Sequence, residues 1–238
     1  MDLVIPVSAR RCAAALGLIV VILVAASLGA TSLSFAQIEN HFLREVRDSV
    51  VRLAWVDGEG NIPTWYSSSL LLLCSVLLAT IAAAQRQQRG RHVVGWLILA
   101  LVFVFLSLDE TAQLHELSIA PLRALFGTTG FLYYAWIVPA GICVVLFVSG
   151  YLRFLAELPE RTRRLFLVAG VIFVGGALGV EAVSGNQASL HGEQNLTYHL
   201  IITVEELFEM AAIIVFIYAL LDYIGRLFTN VGFHVTSR

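Results

Sequence analysis

Six long apolar runs separated by shorter polar stretches set the pattern of this chain. An α-helix needs about 20 apolar residues to cross the hydrocarbon core of a bilayer. The runs fall at approximately residues 12–35, 65–84, 93–117, 131–152, 165–183 and 198–224. The third is apolar only as far as Leu108, so it makes a full span only if its polar tail, Asp109 to Leu117, stays helical. In the segment 37–64, Leu43, Val46, Val50 and Leu53 recur at helical spacing among charged residues. That is the pattern of an amphipathic helix lying on the outer membrane surface or capping the bundle. The chain therefore reads as all-α, a single polytopic bundle of six transmembrane helices with one outer amphipathic segment.

The arginines orient it. Arg10, Arg11, Arg86, Arg89, Arg91, Arg153, Arg161, Arg163, Arg164, Arg226 and Arg238 fall at one end of the expected bundle, and only Arg44, Arg47, Arg52 and Arg123 at the other. The positive-inside rule then places both termini in the cytoplasm of a multi-pass cell-membrane protein. Trp55, Trp65, Tyr66, Tyr133, Tyr134 and Trp136 form an expected outer aromatic belt, with Trp96 near the inner interface. The first run ends in Ser34-Phe-Ala36, the form of a secretory cleavage site, but its length favours a retained helix. Pro139 and Gly141 predict a kink in the fourth span. Gly175 and Gly179 predict a small-residue face for close packing in the fifth. Asp57-Gly-Glu-Gly-Asn61 reads as a Gly-rich turn, because the remaining ligands of a calcium loop are missing.

Composition narrows the class without changing this picture. At 58% hydrophobic and 13% charged residues, the chain is excluded from the ordinary soluble domains. Cys12, Cys74 and Cys143 sit in separate apolar runs with no CxxC spacing, which argues against a thiolate metal site or a disulfide framework. No nucleic acid is expected. The expected partners are the lipid bilayer and either another membrane protein or a second copy of the chain.

The candidate chemistry is acidic. A carboxylate at the centre of a membrane helix costs roughly 2.5–3.5 kcal/mol on insertion scales, so such residues face a bundle interior, a partner or a cavity. At 1.5 Å per residue, Asp109 lies roughly 24 Å from the inner start of its span and Glu181 about as far from Leu165. Glu205, Glu206 and Glu209 lie roughly 10–17 Å from Tyr198 on a span running inward. These acids, with Glu110, Glu116, His115 and His199, make one layer in the outer half of the bundle, where the helices offer no arginine. If the third span is one continuous helix, Asp109, Gln113 and Glu116 share a face and His115 points about 120° away from Asp109.

Carboxylates from several helices with one histidine are the donor set of a divalent metal, zinc, iron or manganese, in helical bundles. The expected ligands are Asp109, Glu181, Glu205 and Glu209, with His115 or His199 as nitrogen donor. Glu206 is then the candidate general base of a metal-dependent membrane enzyme. Neither HExxH nor the Glu-x-x-His pairs of soluble di-iron bundles occur. His41, His92, His191 and His234 fall in loops or at ends and are expected to be solvated. Two other functions use the same acids: proton- or cation-coupled transport, which the apolar inner halves of the spans do not favour, and a non-catalytic subunit whose acids meet arginines of a partner or of segment 37–64.

The motifs Phe105-Leu-Ser-Leu-Asp-Glu-Thr-Ala-Gln-Leu-His-Glu116 and Thr203-Val-Glu-Glu-Leu-Phe-Glu-Met210, with Gly175-Gly-Ala-Leu-Gly-Val-Glu181, resemble a family of uncharacterised bacterial multipass membrane proteins. The resemblance covers the third to sixth runs and implies a fold but no activity. Ser107, Asp109 and His199 are also similar to the Ser, Asp and His set of alkaline-ceramidase-type membrane hydrolases, which would imply zinc-dependent hydrolysis. The His-x-x-x-His pair of those enzymes is missing here.

Overall fold

A computed structural model describes residues 8–58 and 60–227, so Glu59, His234 and Arg238 lie outside the described residues. The chain is helical throughout these residues: α1 (Ala9–Ser34), α2 (His41–Ala54), α3 (Ile62–Gln87), α4 (Val93–Ala112), α5 (Leu114–Phe126), α6 (Ile137–Glu157), α7 (Glu160–Val174), α8 (Glu181–His191) and α9 (Leu196–Leu227). Ser8, Asn40 and Asn61 start α1, α2 and α3 by accepting a hydrogen bond from the amide three residues on, which satisfies a donor that has no partner within the helix. A π-helical turn, Gly175–Val180, joins α7 to α8 without a break. Five helices are long and apolar enough to cross a membrane: α1, α3, α4, α6 and the continuous 160–191 unit. The sixth expected span, α9, is a helix of 32 residues but is not among those five.

α9 is the axis of the bundle, packing against α1, α3, α7 and α8, while α4 packs on α3. Leu78, Ile81, Met210, Ile217 and Leu220 are buried between α3 and α9. The C-terminal end of α6 rests on the N-terminal end of α4 through Tyr151, whose hydroxyl donates to the Gly95 carbonyl (3.0 Å), and through Phe154 against Trp96 (5.0 Å between rings). Tyr66 is buried too, its hydroxyl donating to Leu16 O at 2.8 Å.

Several sequence expectations are corrected here. The third span ends at Ala112, not near residue 117, because Gln113 adopts a left-handed conformation (φ 56°, ψ 41°) that stops α4 and starts α5. Residues 131–136 precede α6, and Pro139 falls in its first turn, where a proline removes no intrahelical bond and imposes no kink. Trp96, in the first turn of α4, is 1% exposed and packs in the core against Phe154, Phe166 and Tyr223. Asn61 closes the turn after α2, its Nδ2 donating to Trp55 O (2.6 Å). α2 has no buried residue, and Phe42, Leu43, Val46, Val50 and Leu53 form its exposed apolar side.

Candidate functional site

The break at Gln113 builds one wall of the site. Gln113 offers α5 no side-chain cap, and Asp109 of the preceding helix does that work. Its Oδ1 accepts the His115 backbone N–H (2.9 Å) and its Oδ2 lies 2.8 Å from His115 Nδ1. A continuous helix would have carried His115 away from Asp109. The left-handed residue brings it back, so the inward face expected from Asp109, Gln113 and Glu116 does not form, and Glu116 is exposed. Burial by itself would pull the His115 imidazole down. The Asp109 hydrogen bond and charge, helped by Glu181 and Glu116, outweigh burial and raise it above its ordinary value.

The second wall comes from the 160–191 unit. The His115 ring lies 4.6 Å from the Trp136 ring, and Trp136 Nε1 donates to Glu181 Oε1 at 2.6 Å. Glu181 is 8% exposed. One turn on, Ser184 Oγ lies 2.9 Å from Glu181 O and 3.2 Å from Glu205 Oε2, tying α8 to α9. Glu181 and Glu205 are each 12 positions from the middle of the connection between α8 and α9, near residue 193, so an antiparallel pair sets them at equal depth.

The third wall is α9. Gly176, inside the π-helical turn, lets the two helices meet: a Cβ there would lie 3.1 Å from Phe208 Cβ, 3.2 Å from Glu205 O and 3.3 Å from Glu209 Cγ. Nothing lies within 4 Å of a Cβ placed at Gly175 or Gly179, so the expected small-residue face is replaced by this single glycine. A π-turn rotates the residues beyond it relative to an α-helix, and Glu181 is the first residue after it. Across the gap from α9, Glu110 is within electrostatic range of Glu206 and Glu209. Glu110, Glu206 and Glu209 are half-buried, and none makes a hydrogen bond to a described residue.

The structure thus gathers Asp109, Glu110, His115, Glu181, Glu205, Glu206 and Glu209 into one layer. His199 is not part of it. It is buried between Phe35 (5.8 Å), Trp55 (4.9 Å) and Tyr198 (6.1 Å), with Nδ1 unpartnered among the described residues. Ser107 lies in a clasp between α3 and α4. Its Oγ donates to Ser68 O (2.9 Å), and Ser68 Oγ donates back to Ser107 O (2.8 Å). Trp136 and Ser184, which hold Glu181 and Glu205, carried no signal in the sequence beyond the aromatic character of the first.

Among the described residues no ion pair joins an arginine to Asp109, Glu110, Glu181, Glu205, Glu206 or Glu209. Arg44 and Arg47 are turned to the carbonyls of Ile38 and Ala36, and Arg123 lies 3.7 Å over the Tyr133 ring. Among the same residues no three His, Cys, Asp or Glu side chains are gathered in an arrangement that would hold a metal ion.

A family described as a domain of unknown function, DUF8692, matches residues 13–224, which include every member of the layer. The chain belongs to DUF8692. No curated protein matches it, and no solved structure does. For this DUF8692 member the chemistry of the layer has to be argued from its own side chains.

Proposed function

We propose that this is a six-span membrane protein of the cell membrane, α9 being the sixth span, that binds a divalent cation in the acidic layer on the non-cytoplasmic side. The observation that carries this reading is charge: six carboxylates and one imidazole share a half-buried layer with no arginine paired to them among the described residues. Three of the six, Glu110, Glu206 and Glu209, have no hydrogen bond to a described residue. Carboxylates without partners in a low-dielectric setting stay ionised only beside a cation and otherwise take up protons.

The donor chemistry fits in part. A histidine that ligates a metal through one ring nitrogen characteristically gives the other to a carboxylate, which fixes the ring. Asp109 holds His115 Nδ1 in that way and leaves Nε2 for a metal. Asp109 therefore moves from ligand to positioning residue, and His115 becomes the nitrogen donor in place of His199. Glu181, Glu205 and Glu209 are the oxygen donors. A bound ion would supply Lewis acidity at the layer, and Glu206, free of hydrogen bonds, is the group available as a base. Elemental analysis of protein purified without chelators tests this. Stoichiometric zinc, iron or manganese that is lost in the Glu205→Gln, Glu209→Gln double variant supports it. A folded wild-type protein that neither carries nor takes up metal refutes it.

A second reading has its own observation. Asp109, Glu181 and Glu205 are held by His115, Trp136 and Ser184 and do not converge on one point. Protons then neutralise the layer, and Glu206→Gln and Glu209→Gln, which imitate the protonated acids, leave the protein folded and as stable as the wild type. Marked destabilisation of both variants would refute that reading.

A further inference from the structure

We infer that the inner ends of α4 and α6 form a binding site for an anionic phospholipid, with the headgroup between the two helices and an acyl chain lying along α6. The site is remote from the acidic layer and does not depend on how that layer is read. A cavity of about 380 Å³ opens between these helix ends, lined by Arg91, His92, Gly95, Arg153, Phe154 and Glu157, with Gly150 at its side. Glu157 takes Arg153 Nε at 3.2 Å on one oxygen and lies 2.7 Å from His92 Nε2 with the other. These contacts orient the Arg153 and His92 side chains at the mouth, and the terminal guanidinium nitrogens of Arg153 make no hydrogen bond to a described residue. Arg91 is exposed and makes no hydrogen bond or ion pair with a described residue. Two arginines and a histidine thus face one carboxylate. The first turn of α4, which forms the floor, has no side-chain cap, so its amides add donors.

A separate apolar groove lies farther along α6. A second hollow of about 380 Å³ on α6 is lined by Val138, Gly141, Ile142, Val145 and Leu146. Ile142, Leu146, Arg153 and Glu157 fall within roughly 60° of one another around the α6 axis, so the facing edges of hollow and cavity are aligned along the helix, while their centres lie roughly 100° apart around it. From Ile142 to Arg153 the rise is roughly 16 Å, about half of a hydrocarbon core about 30 Å thick. An acyl chain from the inner leaflet has that reach. Val145 and Leu146 are 65% and 67% exposed, open to the lipid that would supply it. Basic pockets between membrane helices on the cytoplasmic side suit anionic headgroups, and each arginine near such a surface favours them by about 1 kcal/mol. A free phosphate would satisfy the charged cavity but would leave the groove unused, and this favours the lipid.

Native mass spectrometry of the full chain in detergent, titrated with phosphatidylglycerol or with phosphatidylcholine, tests the assignment. Phosphatidylglycerol is expected to bind roughly tenfold more tightly, and the Arg91→Gln, Arg153→Gln double variant to lose that preference. Ile142→Trp, which obstructs the groove, should weaken phosphatidylglycerol binding and leave binding of inorganic phosphate unchanged. Equal binding of the two lipids overturns the proposal, as does a preference that survives the arginine replacements. Displacement of the lipid by millimolar inorganic phosphate, with no effect of Ile142→Trp, overturns it in favour of a plain anion site. If the double variant does not fold, Gly150→Leu makes the same test, because its side chain starts in open space and fills the cavity from the α6 side.

Discussion

The contact of Gly176 with α9 gives the sharpest test of how the layer is held. In Gly176→Ala the new methyl group meets Phe208 Cβ at 3.1 Å, Glu205 O at 3.2 Å and Glu209 Cγ at 3.3 Å. The first two contacts are a backbone-anchored carbon and a main-chain carbonyl, neither of which can swing aside, so the helices must part by a few tenths of an ångström. Overpacking of this kind costs roughly 1–3 kcal/mol. Replacing glycine by alanine in a helix returns about 0.5–1 kcal/mol, leaving a net loss of about 0–2.5 kcal/mol, centred on about 1 kcal/mol. Gly175→Ala and Gly179→Ala receive only the gain, since nothing lies within 4 Å of either new methyl group. Thermal unfolding of the three variants in one detergent, followed by tryptophan fluorescence, should therefore melt Gly176→Ala below the wild type and the other two at or above it. If the layer holds a metal as proposed, its occupancy should fall in Gly176→Ala alone, because the residues displaced are Glu205 and Glu209. If Gly176→Ala melts as high as Gly179→Ala, the π-turn does not make the contact with α9 and the argument fails.

Other consequences can be checked in the same preparations. The raised His115 means that its pairing with Asp109 contributes fully below the ordinary histidine value near 6.5 and is lost as pH rises through the higher folded value. In chelator-treated protein, His115→Gln should accordingly lower the melting midpoint more at pH 6 than at pH 9, and a difference independent of pH would refute the pairing. Trp136→Phe removes the 2.6 Å bond to Glu181, at a cost of about 1–3 kcal/mol, and should weaken metal affinity roughly 10- to 100-fold if Glu181 is a ligand. Ser107→Ala breaks one bond of the α3–α4 clasp at about 1 kcal/mol while leaving metal binding unchanged; loss of metal or of an associated activity would place Ser107 in the site instead.

The helices and the identity of most layer residues could be read from the chain because both follow from patterns that do not depend on tertiary detail. Apolar runs of sufficient length specify spans, and acids within them need a polar surrounding. What could not be read was direction. The sequence leaves His115 as one of two candidate nitrogen donors pointing away from Asp109, because about 100° per residue separates them in a helix that continues through Gln113. A left-handed glutamine has no sequence signature comparable to that of glycine or asparagine. His199 failed in the opposite way. Its depth matched the layer, but depth does not determine which neighbour a side chain meets, and Phe35 and Trp55, distant in sequence, enclose it. The depth of Trp96 likewise says nothing of its neighbours, and Phe154, Phe166 and Tyr223 complete a core around it.

Left-handed Arg89 (φ 55°) only ends the turn after α3, but the two irregularities at Gln113 and Gly175–Val180 both serve the same layer. A non-glycine residue in the left-handed region and a π-turn each cost stability relative to regular helix, and such features persist where the surrounding structure over-determines them, commonly at functional sites. Here the left-handed Gln113 returns His115 to Asp109, and the π-turn sets Gly176 against α9 and ends at Glu181. Regular helices through both positions would give equally good spans, with the same apolar residues available for the core. They would lack the Asp109–His115 contact and the rotation that the π-turn gives Glu181. Membrane insertion therefore does not account for either irregularity, whereas assembly of a histidine and several carboxylates at one depth accounts for both.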